Sequence, residues 1–314
     1  MLIPLSASVR GRASVRRFVI VLLVVMGAAS LRPLSRSFAA SGGNDGAVDK
    51  SARRATLQPA STTSLDIPFN DYDPEAERVL LELANQARAQ VGAPRLTLDA
   101  GLCRAARAHA DAMFEARQLS HQLQGEPALP QRLAAATRTQ LEQEGENVAL
   151  DFDAADGHQH LMLSPRHRAN LLNPAYNVIG LGVLRGGDRL YIVQDFGYAL
   201  PNYSVAEVKE RIAATVSQAR HQANQPDLAR RDLPTLDDAA CSMAQADKIG
   251  TAPVHQLAQR FTVLSYTSLH PETLPAKTTH LFSSHNLRSY SVGACYAHTG
   301  THPTGVYWVV LALE

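Results

Sequence analysis

The sequence has little net charge and few cysteines. The first feature argues against nucleic-acid binding, and the second limits the number of disulfides. Its 30 Lys and Arg residues nearly balance its 29 Asp and Glu residues, which leaves a formal net charge of +1. No whole-protein field therefore concentrates nucleic acid or anionic lipid, and we expect no nucleic-acid partner. The chain has 3 cysteines among 314 residues, which permits one disulfide with one thiol left over.

Two common hydrolase motifs are also missing. The sequence contains neither Gly-x-Ser-x-Gly nor His-Glu-x-x-His, so nothing positive assigns the chain to the enzyme classes that carry them. The composition, with 45% hydrophobic and 19% charged residues, is that of an ordinary soluble protein.

A long apolar run is lacking, although a short one lies near the N-terminus. The run Phe18–Ala29 follows four arginines, namely Arg10, Arg12, Arg16 and Arg17. A basic segment followed by about a dozen apolar residues is typical of a secretory signal peptide. The run is shorter than the roughly 20 residues that span a bilayer. We therefore expect a signal peptide over 1–40, a secreted or periplasmic protein, and no membrane span after cleavage.

Beyond the spacer, the chain predicts an α+β domain over 73–200. Residues 41–72 are rich in small and polar residues without periodicity, which is typical of a disordered spacer. Asp73 and Asp99 are expected to cap two amphipathic helices. The runs 178–184 and 189–196, joined by a Gly-Gly-Asp turn, predict a β-hairpin.

Four short motifs then carry a resemblance. They are Ser120-His121, Gly145-Glu146-Asn147, Ser164-Pro165-Arg166-His167-Arg168-Ala169-Asn170-Leu171-Leu172-Asn173-Pro174, and Val193-Gln194-Asp195-Phe196. In this order they resemble the bacterial members of the CAP superfamily, which also includes cysteine-rich secretory proteins, antigen 5 and plant pathogenesis-related proteins. The resemblance implies a three-layer α-β-α sandwich, a secreted location and a cleft where the motif residues meet.

The same resemblance implies the site residues. His121 and His167 match two cleft histidines and Glu146 matches a cleft glutamate, so the three are candidate ligands of a divalent metal such as Zn²⁺ and candidate catalytic residues. The second acidic position of the family falls at Ser164, which predicts a weak metal site because structural and catalytic zinc sites have three or four protein ligands. His158 and His160 are further possible ligands, although an exposed histidine-rich turn is the simpler interpretation.

Three functions are compatible with two imidazoles and one carboxylate. The first is a non-catalytic binding or structural module with a weak metal cleft, and the second is a metal-dependent or acid–base hydrolase. The third is a carrier of a lipid or small molecule. The expected partner is correspondingly a small molecule, a lipid or an extracellular protein, and neither its identity nor the oligomeric state follows from the sequence.

Other polar residues have simpler expected roles. We expect His109 to be a hydrogen-bonded packing residue, and Asn147 and Asn170 to hold turns or backbone groups. For Gln194 we expect an ordinary packing role on its strand, and the alternative is a side chain that projects toward the cleft.

The last part of the chain echoes the first domain. Leu233–Cys241 parallels Leu96–Cys103, and Tyr290–Cys295 parallels Tyr176–Gly182. We therefore expect a helix and linker over 201–234, followed by a small α+β module over 235–314. Two interpretations of this module stay open, a degenerate repeat without the cleft motifs and a coincidence of two common patterns. In such a repeat Cys241 and Cys295 would face each other across a small core, which predicts a disulfide between them and a buried free thiol at Cys103.

Overall fold

The structure, a computed structural model, describes residues 72–314. The expected signal peptide over 1–40 and all of the expected spacer except Tyr72 lie outside the described residues. Tyr72 itself forms an antiparallel bridge with Leu184. Within the described range, no helix combines the length and the apolar character needed to cross a membrane.

The first module is an α-β-α sandwich. Its elements are α1 Pro74–Gln90, β1 Thr97–Leu98, α2 Ala100–Ala116, α3 Leu129–Ala136, β2 Leu141–Asp151, α4 Ala154–Leu163, α5 Pro165–Leu171, β3 Val178–Gly186 and β4 Arg189–Ala199. The sheet has the order β1-β3-β4-β2, in which only the β1–β3 pair is parallel. Helices α1 and α4 pack on one face and α2 on the other. The predicted fold class is confirmed.

Local sequence signals explain these elements. The side chain of Asp73 accepts a hydrogen bond from the Ala76 amide at 2.9 Å and that of Asp99 from the Leu102 amide at 2.8 Å, as expected of N-terminal caps. Helix α2 lies so close to the sheet that a Cβ on Gly182 would come within 2.3 Å of the Ala106 carbonyl carbon. Only glycine permits this approach.

The second module repeats this arrangement. Its elements are α6 Val205–Gln222, β5 Ala229–Arg230, α7 Thr235–Gln245, α8 Ala252–Ala258, β6 Thr262–Ser268, a 3-10 helix Ala276–Ser283, β7 Ser289–Ala297 and β8 Val306–Leu313. The sheet order is β5-β7-β8-β6, and again only the first pair is parallel. The order and direction of the strands are those of the first module.

The repeat is longer than the sequence predicted. We expected a helix and linker over 201–234, but Val208, Ile212 and Val216 of α6 are buried in one cluster with residues of β7 and β8. Helix α6 therefore packs within the second module, as α1 packs within the first. The polar stretch after α6, interpreted as a linker, connects α6 to strand β5.

A buried arginine marks the equivalence of α1 and α6. Arg88, near the end of α1, donates from Nε to the Pro94 carbonyl at 2.7 Å and from Nη1 to the Leu171 and Asn173 carbonyls, both at 2.9 Å. Near the end of α6, Arg220 donates from Nε to the Pro226 carbonyl at 2.8 Å. Its Nη1 donates to the Phe282 and Ser284 carbonyls at 2.8 and 2.7 Å. In both modules the arginine thus ties a helix end to two loops.

The cysteines pair as expected. Cys241 of α7 and Cys295 of β7 form a disulfide, with their Cα atoms 5.1 Å apart. Cys103 is a partly buried free thiol on α2, and its Sγ accepts a hydrogen bond from the Leu181 amide of β3 at 3.5 Å. The disulfide therefore joins a helix and strand whose counterparts in the first module make a thiol hydrogen bond at this place.

Replacing Cys241 and Cys295 by serine is expected to lower the free energy of unfolding by roughly 2–5 kcal/mol, because the open chain regains loop entropy. Urea denaturation followed by circular dichroism measures this loss, and wild-type protein under a dithiol reductant should reproduce it. Cys103→Ser is the matched control. A loss for Cys103→Ser as large as that for the double variant would contradict the assignment.

The two modules meet at the start of β2. His270 donates from Nε2 to Glu142 at 2.9 Å and lies 3.2 Å from Glu272 through Nδ1. The Thr304 hydroxyl donates to the Leu141 carbonyl at 3.1 Å. The hydrogen bond to Glu142 raises the pKa of His270.

This contact predicts a pH dependence of stability. Because the folded-state pKa of His270 is raised, its contribution is fully present below the ordinary histidine pKa and is lost as the pH rises through the raised value. The free energy of unfolding of wild type relative to His270→Gln should therefore shrink between about pH 6 and about pH 9. Exposed His285→Gln is the control. An equal gap at both pH values would refute the assignment.

Candidate functional site

The Glu146 carboxylate lies at the centre of a hydrogen-bonded network that includes the predicted site residue His121. Glu146 is on β2, an edge strand of the first sheet, and its side chain is 4% exposed. Its Oε1 accepts a hydrogen bond from His121 Nδ1 at 2.9 Å, and its Oε2 accepts one from Arg132 Nη2 at 2.5 Å. The hydrogen bond to Glu146 raises the pKa of the half-exposed His121.

A second carboxylate, Glu126, extends the network inward. Arg132 Nη1 donates to Glu126 Oε1 at 3.2 Å, and the Leu123 amide donates to Glu126 Oε2 at 3.0 Å. His109 is fully buried and places Nδ1 2.7 Å from Glu126 Oε1 and Nε2 2.9 Å from the Ser120 carbonyl oxygen. Both ring nitrogens of His109 therefore have a hydrogen-bonding partner. As expected, His109 is a hydrogen-bonded packing residue.

Asp195 completes the buried cluster. It pairs with Glu146 across strands β2 and β4 and is 1% exposed. Burial, and then the neighbouring Glu146 charge, raises the pKa of Asp195 well above its usual range. A charged Asp195 would add a second buried negative charge beside Glu146, which is costly away from water. The surroundings of Asp195 accordingly favour its neutral, protonated form.

A series of hydrogen-bonded side-chain amides joins α5 to the sheet. Asn170 Nδ2 donates to the Glu146 carbonyl and to Asn147 Oδ1, both at 3.0 Å. Asn147 Nδ2 donates to the His167 carbonyl at 3.1 Å and to Gln194 Oε1 at 3.2 Å. The two asparagines thus hold backbone groups, as expected, and Gln194 is a buried partner of Asn147. These hydrogen bonds fix the position of helix α5, which carries His167.

His167 lies on α5, close to His121. The two ring centroids are 6.2 Å apart, with the ring planes inclined at 47°. Burial, and then the neighbouring His121, lowers the pKa of His167, so its ring is neutral at neutral pH. The structure therefore brings together all three predicted site residues, with Glu146 bonded to one histidine and the other histidine facing that pair.

The other predicted ligands lie elsewhere. His160 Nδ1 contacts Asp151 Oδ2 at 2.6 Å, at the end of β2 and roughly 16 Å along the strand from Glu146. Burial lowers the pKa of His158. Ser164 caps α5 without a side-chain cap bond. Within residues 72–314, no group of three or more His, Cys, Asp or Glu side chains is arranged to hold a metal ion.

Sequence reasoning missed three members of the network. Arg132 and Glu126 lie outside the four motifs, and nothing in the neighbouring sequence distinguishes them from solvent-exposed charges. Asp195 lies inside a quoted motif, yet only the strand pairing reveals that it faces Glu146.

The second module has apolar residues at the positions equivalent to the cleft. Aligning the sheets at their short parallel pairs superimposes Gly182 on Gly293, which also packs against a helix backbone, at Leu236. The paired positions Glu146–Asp195 and Asn147–Gln194 then correspond to Val263–Ala312 and Leu264–Leu311. The expected loss of the cleft from the repeat is therefore a replacement of buried polar residues by apolar ones.

Comparisons with known proteins agree with this architecture. Residues 81–196 match the family model described as "CAP: Cysteine-rich secretory protein family". No curated protein matches the chain.

Several solved structures resemble the chain. An outer surface protein from Borrelia burgdorferi is 21% identical, with a TM-score of 0.38, over 40% of this chain and 94% of that one. An extracellular protein containing a SCP domain from Bacillus anthracis is 26% identical, with a TM-score of 0.36, over 40% of this chain and 41% of that one. A cysteine-rich secretory protein from Staphylococcus aureus is 22% identical, with a TM-score of 0.32, over 42% of this chain and 41% of that one. With its matching family model and its sandwich of helices around the β1-β3-β4-β2 sheet, the segment 81–196 of this chain is a CAP domain of the cysteine-rich secretory protein family.

Proposed function

We propose that the CAP domain is an extracellular, non-catalytic binding module, and that His121 and His167 form a weak divalent-cation site in its cleft. The observation that carries the proposal is the state of Glu146. Both of its oxygens accept hydrogen bonds, from His121 Nδ1 and from Arg132. A carboxylate held in this way orients the histidine, as carboxylates behind metal-binding histidines commonly do.

The proposed site has two imidazole ligands, those of His121 and His167. It therefore differs from the three-ligand set expected from the sequence, which also included Glu146. Because Nδ1 of His121 donates to Glu146, Nε2 is the nitrogen left to act as a ligand. His167 is neutral and therefore has a nitrogen lone pair available as well. A cation bound there would supply Lewis acidity at the cleft surface. Two protein ligands are fewer than structural or catalytic zinc sites use, so the proposed affinity is low.

The same contacts disfavour Glu146 itself as the general base of a hydrolase. A general base must take up a proton during the reaction, and the Glu146 oxygens already accept from Arg132 and His121. Proton uptake by Glu146 would break its charged hydrogen bond to the buried Arg132. A binding role makes no such demand.

Zn²⁺ is expected to stabilise the full chain and to lose this effect in the double variant His121→Ala/His167→Ala. At a free Zn²⁺ concentration about ten times Kd, the stabilisation should be about 1.4 kcal/mol. Thermal unfolding at increasing Zn²⁺ concentration measures it. The control is His255→Ala/His285→Ala, which removes two exposed histidines of the second module. An unchanged Tm of wild type with Zn²⁺, or an equal loss in the control, would count against the site.

Glu146→Gln is expected to weaken Zn²⁺ binding roughly 10–100-fold without abolishing it, because the histidine loses its orienting carboxylate while both imidazoles remain. Isothermal titration calorimetry of the folded variant measures the change. A complete loss of binding would instead make Glu146 a direct ligand, and unchanged binding would show that it does not orient His121.

A further inference from the structure

The guanidinium of Arg132 contacts both members of the His121–Glu146 pair. Nη2 donates to Glu146 Oε2 at 2.5 Å and also to the backbone carbonyl of His121 at 3.2 Å. His121 is therefore restrained twice, at its ring by Glu146 and at its backbone by the arginine. None of the four sequence motifs contains this residue.

The arginine is itself fixed from two sides. The next residue, Leu133, is fully buried in a cluster with Leu102 of α2 and Leu141 of β2, which anchors α3 against both elements. On the other side, Nη1 donates to Glu126 Oε1 at 3.2 Å. The Arg132 side chain is 9% exposed, so the guanidinium has little freedom to move away from Glu146.

From these contacts we infer that Arg132 is the positioning residue of the cleft, fixing His121 and Glu146 against each other. Its planar fork reaches two carboxylates and a carbonyl at once, which the single ammonium of a lysine does not reproduce. The inference rests on the proposed function in that the cleft is taken as the binding site. It adds that presentation of the His121 ring depends on a residue that touches neither the bound cation nor the His121 ring.

The contacts of Arg132 should determine the tautomer of the His121 ring, which NMR spectroscopy detects. Because the Glu146 carboxylate accepts from Nδ1, the neutral ring of His121 carries its proton on Nδ1 and leaves Nε2 free. If Arg132 holds the carboxylate in place, loosening the arginine releases the ring to exchange between its two tautomers. The ¹⁵N chemical shifts of the ring nitrogens distinguish the tautomers directly.

The test is Arg132→Lys in the full chain, with Arg104→Lys as the matched control. Arg104 is exposed and donates to the Ala136 carbonyl at the end of α3, so it bonds the helix that carries Arg132 without making the cleft contacts. In wild type and Arg104→Lys, at a pH where the ¹⁵N shifts show the His121 ring to be neutral, the Nδ1–H tautomer of His121 should predominate. Arg132→Lys should lose this predominance, and its Zn²⁺ affinity should fall roughly tenfold.

The outcomes separate the two proposals. Persistence of the Nδ1–H tautomer in folded Arg132→Lys would overturn the inference, and so would an equal loss in Arg104→Lys. Predominance of that tautomer in wild type without any Zn²⁺ binding would refute the proposed cation site and leave the positioning role intact. If Arg132→Lys does not fold, Glu126→Gln replaces it, because Glu126 bonds the arginine and not His121. A reduced Nδ1–H population in that variant supports the inference, and an unchanged one overturns it.

Discussion

Burial of the Glu146 carboxylate is the constraint on which the cleft depends. A carboxylate removed from water costs several kcal/mol unless it is paired and hydrogen-bonded. Glu146 lies on an edge strand, and two of its side-chain partners come from outside the sheet, namely His121 of a loop and Arg132 of α3. Arg132 in turn holds Glu126, which His109 of α2 also bonds. One buried charge thereby fixes the positions of a loop and two helices.

Much of the fold was predictable because its determinants are local. Asp73 and Asp99 cap helices through contacts three residues away, and such signals are visible in the chain itself. The hairpin of β3 and β4 follows from its turn and alternating residues. The disulfide was predictable for another reason, since the repeat placed Cys241 on a helix and Cys295 on the strand that it packs against.

The features that the sequence did not predict depend on contacts between segments that are distant in the chain. Arg132 is an ordinary helical arginine until the strand that carries Glu146 is placed beside α3. The first half of strand β2 has no local signal, because Glu142, Gln143 and Glu144 lack the alternating apolar pattern of a strand. The strand nonetheless begins at Leu141 and pairs with β4. Helix α6 resembled a linker helix for the same reason, since its role is defined by the sheet that its apolar face covers.

The second module distinguishes the residues that maintain the fold from the residues of the polar network. It keeps Arg220 and Gly293 where the first module has Arg88 and Gly182, yet it has only apolar residues at the paired cleft positions. The chain thus contains the same strand order twice, once with buried polar residues at the paired positions and once with apolar ones. Architecture and chemistry are therefore separable here. One set of residues sets the topology, and the buried polar positions can differ without altering a single strand pairing.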